Sequence, residues 1–120
     1  MILVDTSVWI DHLRKGDTKL KLLLEDTLVL CHPFIVGELA CGNLSKRSEV
    51  LQLLDALPEA ISATNEEVRA FVVPRSLMAR GIGFIDAHLL TSAALTPPAK
   101  IWTRDRRLAA VAEELDLRHA

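Results

Sequence analysis

Apolar residues in this chain alternate between short continuous runs and longer stretches with helical spacing. Runs at residues 2–4, 28–31 and 100–103 are typical of strands that are buried on both faces of a parallel sheet. Weaker runs at 60–62 and 117–119 bring the predicted sheet to four or five strands. Because helical patterns separate these runs, the sequence predicts an α/β fold with a mostly parallel central sheet.

Helices are predicted between these runs by apolar spacing and by capping residues. Thr64 followed by Glu67 matches a capping box, and Pro33 suits the first turn of a helix. Pro74 should end or kink the helix that begins after Thr64. The predicted helices cover residues 8–14 and 20–25, a segment that opens at 33, one ended by Pro58, one after Thr64, residues 84–95 and one that opens at 105.

The size and composition of the chain fit one folded domain over residues 1–120. Half of the 120 residues are hydrophobic and a quarter are charged. Cys31 and Cys41 stand in apolar surroundings, which predicts reduced core residues of a cytoplasmic protein. The N-terminus has neither a basic region nor an apolar stretch long enough for a signal peptide or a membrane span. The net charge of −2 argues against a generic nucleic-acid coating protein.

Four acidic residues are placed where a parallel sheet would gather them. Asp5 and Asp105 closely follow predicted strands, at points where helices begin. Asp86 falls in the first turn of a predicted helix, and Glu38 lies on an apolar helical segment. Because ligands of open parallel sheets bind beyond the carboxyl ends of the strands, these side chains are candidates for one site.

Each acid also has a simpler explanation. Asp5, Asp86 and Asp105 suit helix N-termini through capping and the helix dipole, and Glu38 suits an exposed helix face. If the four carboxylates converge, however, their repulsion favours protonation or the uptake of cations. Clustered oxygen ligands suit Mg²⁺ or Mn²⁺, and such ions support phosphodiester hydrolysis.

The segments that carry these acids resemble the PIN domain, and more narrowly the VapC-type toxins of bacterial toxin–antitoxin pairs. They are VDTSVWID at 4–11, the helix with Glu38, GIGFIDAHLL at 81–90 and WTRDRRL at 102–108, and the resemblance covers essentially the whole chain. It implies a Rossmann-like α/β/α sandwich with an acidic pocket that binds Mg²⁺ or Mn²⁺. It also implies an endoribonuclease that cuts tRNA or rRNA and arrests translation. Such proteins form homodimers and are neutralised by a VapB-type antitoxin whose tail enters the active-site groove.

The resemblance assigns roles to two sets of residues. Metal binding and catalysis fall to the four acids Asp5, Glu38, Asp86 and Asp105. Thr6, Ser7 and Thr103 match polar positions that hydrogen-bond the acids or water. Separately, nearby basic side chains are candidates for contacts with RNA phosphates, or for a solvated face that pairs with surface acids. These are Arg80, Arg104, Arg106 and Arg107.

Three other functions stay open at this point. A DNA-cutting nuclease would use the same metal chemistry, and the choice of RNA rests on the resemblance. A phospho-receiver domain also has Mg²⁺-binding acids on a doubly wound sheet. It needs adjacent acids after the first strand and an aspartate after a middle strand, and this chain has neither. A non-catalytic PIN scaffold would bind a partner through its apolar helix faces.

Overall fold

A three-stranded parallel sheet organises the protein, which the computed structural model describes over residues 1–120. The strands are β1 (Ile2–Val4), β2 (Val29–Leu30) and β3 (Lys100–Trp102), in the order β2-β1-β3. Ile2 is in register with Val29 on one side and with Lys100 on the other. The α/β class and the parallel sheet are therefore confirmed.

Seven helices connect and flank the strands, in the places where helices are predicted. They are α1 (Thr6–Lys15), α2 (Thr18–Glu25), α3 (Pro33–Cys41), α4 (Arg47–Asp55), α5 (Asn65–Val72), α6 (Phe84–Leu95) and α7 (Arg106–Glu114). Pro33 opens α3, and Thr64 with Glu67 forms the predicted capping box of α5. α5 ends at Val72, two residues before Pro74, as expected because proline has no N–H with which to continue the helical hydrogen bonds.

The predicted number of strands is wrong, because the two outer segments form single bridges and not strands. Glu59 bridges Cys31 beside β2, and Arg118 bridges Ile101 beside β3. Each bridge consists of two backbone hydrogen bonds to one edge residue. The sheet therefore has three strands, with one further point of pairing on each edge.

Beside β2, the backbone donors that would extend the pairing are missing. Pro58 has no N–H to donate to β2, although its carbonyl accepts a hydrogen bond from Cys31 at 2.8 Å. On the other side of the bridge the next donor would be residue 33, and Pro33, which opens α3, has no N–H either. Pairing therefore stops after one residue on this edge.

The strand order opens a crevice at the carboxyl ends of β1 and β3. After β1 the chain crosses to β2 on one side, whereas after β3 it continues to Arg118 on the opposite side. Neighbouring strands whose connections leave in opposite directions form a switch point, where ligands of doubly wound sheets bind. Asp5 follows β1 and Asp105 precedes α7, so both acids stand at this crevice.

The main hydrophobic core is a cluster of 21 buried residues that includes Leu3 and Trp9. Cys31 belongs to it, but Cys41 is exposed, so the prediction of two core cysteines is wrong for Cys41. Cys41 lies two residues beyond the buried Leu39 on α3, which turns it about 200° around the helix axis and toward solvent. None of the helices combines the length and apolar composition that crossing a membrane requires.

Removing the cap of α5 should lower the stability of the protein. In Thr64→Ala, the N–H of Glu67 loses the hydroxyl that accepts its hydrogen bond at 3.1 Å. We expect the free energy of unfolding, measured by urea denaturation, to fall by about 1 kcal/mol. Ser48→Ala, exposed on α4, is the control and should not lower stability, because alanine is the better helix former. An equal loss in both variants would contradict the capping role.

Candidate active site

Asp5 is the only one of the four acids that is buried, with 8% of its surface exposed. It caps the N-terminus of α1, and its Oδ2 accepts hydrogen bonds from the Ser7 hydroxyl at 2.7 Å and the Thr103 hydroxyl at 2.8 Å. The N–H of Ser7 approaches the same oxygen at 3.4 Å. Three donors on one oxygen fix the orientation of the carboxylate.

The two hydroxyls that hold Asp5 are themselves oriented by the loop between β3 and α7. Each hydroxyl has a single proton, which it donates to Asp5, and its lone pairs remain available. The N–H of Arg104 donates to Ser7 Oγ at 3.0 Å, and the N–H of Asp105 donates to Thr103 Oγ1 at 3.1 Å. Thr103 therefore connects the Asp5 side chain directly to the backbone of Asp105.

Asp105 and Glu38 form the exposed side of the site. Asp105 caps α7, and its Oδ1 accepts hydrogen bonds from the N–H groups of Arg107 at 2.9 Å and Leu108 at 3.0 Å. Glu38 lies on α3, and its Oε1 accepts a hydrogen bond from the Thr6 hydroxyl at 3.0 Å. Since Thr6 is the first residue of α1, this bond ties the helix that follows Asp5 to the helix that carries Glu38.

Asp86 lies in the first turn of α6, where its Oδ2 accepts a hydrogen bond from the N–H of Gly83 at 3.4 Å. Partial burial raises the pKa of Asp86, and the negative charges of Asp5, Asp105 and Glu38 raise it further, against the opposing effect of the Gly83 N–H. Asp5, Glu38 and Asp105 therefore lie within electrostatic range of Asp86. This agrees with the predicted convergence of the four acids, although no three of them form a tight cluster.

The four acids share one pattern of hydrogen bonding. In each, one carboxylate oxygen accepts from the protein and the other has no protein donor. The free oxygens are Asp5 Oδ1, Glu38 Oε2, Asp86 Oδ1 and Asp105 Oδ2. No three His, Cys, Asp or Glu side chains lie close enough to share one metal ion directly. Mg²⁺ usually keeps several waters and takes only one or two carboxylates, so this all-oxygen donor set fits such an ion.

Two buried histidines lie on or next to α3 and α6, the helices that carry Glu38 and Asp86, and neither balances their charge. His32 caps α3, where its Nδ1 accepts a hydrogen bond from the N–H of Phe34 at 3.0 Å. Burial lowers the pKa of His32 to about 4 and lowers the pKa of His88 as well. Both histidines are therefore neutral at pH 7, and neither places a positive charge beside the acids.

Two of the four arginines considered as RNA contacts are paired with carboxylates. Arg80 makes two hydrogen bonds with Glu114, at 2.7 and 2.9 Å. Arg104 pairs with both Asp11 and Asp17. Each guanidinium thus has a partner within the protein, which is the surface pairing that the sequence left open as an alternative.

The other two arginines, Arg106 and Arg107, are exposed at the start of α7 and have no carboxylate partner. The side chain of Arg107 lies over Gly81, where a Cβ would come within 2.5 Å of Arg107 Cδ. Gly81 also has a φ of +80°, a conformation that favours glycine. Gly81 therefore allows the loop before α6 to pack closely against α7.

Asp11 and Asp17 are neighbours of the site that the sequence did not predict. Asp17 caps α2, with its Oδ1 accepting from the N–H of Leu20 at 2.9 Å. An aspartate ahead of an apolar helical stretch is a recognisable capping signal. Nothing local, however, links Asp17 to Arg104, because the two residues are separated by most of the chain.

Asp17 should make the protein less stable in acid. The N–H of Leu20 lowers the pKa of Asp17 in the folded protein, and Arg104 lowers it further. Because the folded pKa lies below the unfolded value, the unfolded chain takes up the proton first as the pH falls. The stabilisation is present above about pH 4 and is lost as the pH falls through the folded pKa.

In Asp17→Asn, the free energy of unfolding should therefore fall less steeply than in the wild type between about pH 5 and about pH 3. Urea denaturation at a series of pH values measures this slope. Asp26→Asn, exposed at the C-terminal end of the same helix, is the control and should keep the wild-type slope. A wild-type slope in Asp17→Asn would contradict the prediction.

Sequence comparisons agree with this geometry. The PIN domain family matches residues 2–114, a range that contains all four acids. Two relatives are named Ribonuclease VapC32, from Mycobacterium tuberculosis strains CDC 1551 / Oshkosh and ATCC 25618 / H37Rv. Each is 49% identical to this chain over 114 residues, which cover 95% of this chain and 92% of the relative. The chain therefore belongs to the PIN domain family, as a protein of the VapC type.

Proposed function

We propose that this protein is an endoribonuclease that hydrolyses phosphodiester bonds with Mg²⁺ or Mn²⁺ held by Asp5, Glu38, Asp86 and Asp105. The observation that carries the proposal is the shared pattern of the four acids. Each is anchored through one oxygen and keeps the other without a protein donor. The name Ribonuclease VapC32 of the two relatives supports RNA as the polymer that is cut.

The proposed mechanism uses the polar side chains around the acids to set their positions. The chemistry that a divalent ion supplies is the activation of water and the stabilisation of charge on the phosphate. Ser7 and Thr103 hold Asp5 through Oδ2 and leave Oδ1 without a protein donor. Thr6 does the same for Glu38. These hydroxyls preorganise the acids, so that the ligands need little rearrangement when an ion binds.

The proposed substrate is tRNA or rRNA, and cutting it would arrest translation in the cytoplasm. The proposed partners are a second copy of the chain and a VapB-type antitoxin that blocks the acidic site. Both follow from the VapC resemblance. Arg106 and Arg107 are the better-placed phosphate contacts among the four arginines, because neither is neutralised by a carboxylate.

The proposal is tested by incubating the purified protein with tRNA, rRNA and single-stranded DNA of matched sequence. We expect cleavage of RNA with Mg²⁺ or Mn²⁺, loss of cleavage with EDTA, and no cleavage of DNA. Cleavage of DNA alone would make the protein a DNA nuclease. Cleavage that persists in EDTA would exclude the metal site, and a protein that cuts neither polymer but still binds an antitoxin would be a scaffold.

A further inference from the structure

Arg104 lies between two residues of the candidate site, but its side chain pairs with two carboxylates that are not among the four acids. Its guanidinium donates through Nη1 to Asp11 and through Nη2 to Asp17. Asp11 belongs to α1, and Asp17 caps the start of α2. One side chain therefore fastens the loop between β3 and α7 to two helices that lie far away in the sequence.

One of the two carboxylates that receive Arg104, that of Asp17, is held in place by other contacts. Only 17% of the Asp17 side chain is exposed. Its Oδ1 accepts from the N–H of Leu20 at 2.9 Å, and its own N–H donates to His12 Nδ1 at 3.0 Å. A guanidinium that spans two carboxylates, one of them fixed, has a defined geometry, because its donors point in set directions.

The loop that Arg104 fastens carries two groups of the site. Thr103, on one side, donates its hydroxyl proton to Asp5, and Asp105, on the other, is one of the four acids. The N–H of Arg104 itself donates to Ser7 Oγ at 3.0 Å. Movement of this loop would therefore loosen the support of Asp5 and displace Asp105 together.

We propose that Arg104 is a positioning residue, which acts through Asp11 and Asp17 to set the places of Thr103 and Asp105 relative to Asp5. This role differs from an RNA contact, because the two carboxylates neutralise the guanidinium and leave it little attraction for phosphate. The catalytic consequence rests on the proposed function. The consequences for loop mobility and for Mn²⁺ binding are measured without RNA.

The test compares Arg104→Ala, Arg104→Lys, Asp11→Asn and the double variant Arg104→Ala/Asp11→Asn. In Arg104→Ala we expect kcat to fall about 10- to 100-fold with KM changed less than about twofold, and Mn²⁺ binding by calorimetry to weaken about 10-fold. Arg104→Lys should recover part of the loss, because one ammonium replaces only one of the two pairings. The double variant should be no worse than Arg104→Ala, because both changes break the same contact.

Hydrogen–deuterium exchange supplies a readout that needs neither metal nor RNA. The peptide that spans residues 103–108 should exchange faster in Arg104→Ala, while peptides from α6 keep the wild-type rate. Arg118→Ala is the matched control, because it removes an exposed arginine that pairs with Glu113 at 3.2 Å, outside the site. It should change neither exchange at 103–108 nor cleavage.

Two results would overturn the proposal. The first is a raised KM with unchanged kcat, unchanged Mn²⁺ binding and unchanged exchange, which would make Arg104 an RNA contact. The second is faster exchange across the whole protein, which would make Arg104 a contributor to global stability only. If the wild type cuts no RNA, the proposed function fails. The role of Arg104 is then still decided by two other measurements, hydrogen–deuterium exchange at residues 103–108 and Mn²⁺ binding.

Discussion

Replacing Asp5 with asparagine should lower the rate of RNA cleavage by at least about a hundredfold while leaving the fold intact. Asp5 accepts the hydroxyl hydrogen bonds of Ser7 and Thr103 through Oδ2, and asparagine keeps one oxygen to accept them. The other oxygen, which has no protein donor in the wild type, becomes an NH₂ group that cannot ligate a cation. Multiple-turnover cleavage of a labelled RNA at saturating Mn²⁺ measures the loss.

Asp116→Asn is the matched control for this change. Asp116 is exposed and pairs with Lys100 at the first residue of β3, whereas the acids lie beyond the last residue of that strand. Its φ of +57° is one that asparagine adopts readily. The control should keep wild-type cleavage, and both variants should keep the wild-type melting temperature. Near-normal cleavage by Asp5→Asn would leave Asp5 with a capping role alone.

Capping and ligand binding are compatible roles for these aspartates. Asp5 and Asp105 both cap helices, as the simpler explanation of the sequence holds. Each uses a single oxygen to do so, because an N-cap needs only one acceptor for the exposed N–H groups. The second oxygen has no protein donor, and the strand order places both aspartates at the crevice between β1 and β3. A helix cap at a switch point can therefore also be a candidate ligand.

The parts of the fold that the sequence predicted correctly depend on local signals. The bounds of α6 match the prediction because the glycines before Phe84 and the prolines after Leu95 mark both ends. The capping box of Thr64 and Glu67 fixes the start of α5 in the same way. Convergence of the acids was predicted because parallel strands bring their carboxyl ends to one edge of a sheet.

The parts that were missed depend on partners far away in the chain. The strand count was wrong because each outer segment pairs with the sheet at one residue only, Glu59 with Cys31 and Arg118 with Ile101, partners that are distant in the chain. Arg104 meets Asp11 across 93 residues and Asp17 across 87, so neither pairing has a local signal. The exposure of Cys41 follows from which face of α3 meets the core, which depends on how the helix is docked.

Replacing Asp86 with asparagine should strongly reduce cleavage and yet stabilise the protein in the absence of divalent cations. The amide oxygen can still accept from the N–H of Gly83, so the first turn of α6 keeps its contact. The replacement removes a charge that is disfavoured by burial and by three neighbouring carboxylates, which together raise the pKa of Asp86. We expect cleavage to fall at least about a hundredfold. In EDTA, the free energy of unfolding should rise by about 0.5–1 kcal/mol, a modest gain because solvent screens a half-buried group.

The pH dependence of this gain has a definite sign. The pKa of Asp86 is higher in the folded wild type than in the unfolded chain, so the folded protein holds the proton more tightly. The stability that this proton gives is fully present below the unfolded pKa and is lost as the pH rises through the folded pKa. The gain in Asp86→Asn should therefore appear at neutral pH and vanish below about pH 4.

Added Mn²⁺ should raise the melting temperature of the wild type, since a ligand of the folded state stabilises it, and should raise that of the variant much less. Asp116→Asn should respond to Mn²⁺ as the wild type does. If Asp86→Asn is instead less stable than the wild type in EDTA, the charge of Asp86 is already balanced within the protein, and the acids have no need of a cation.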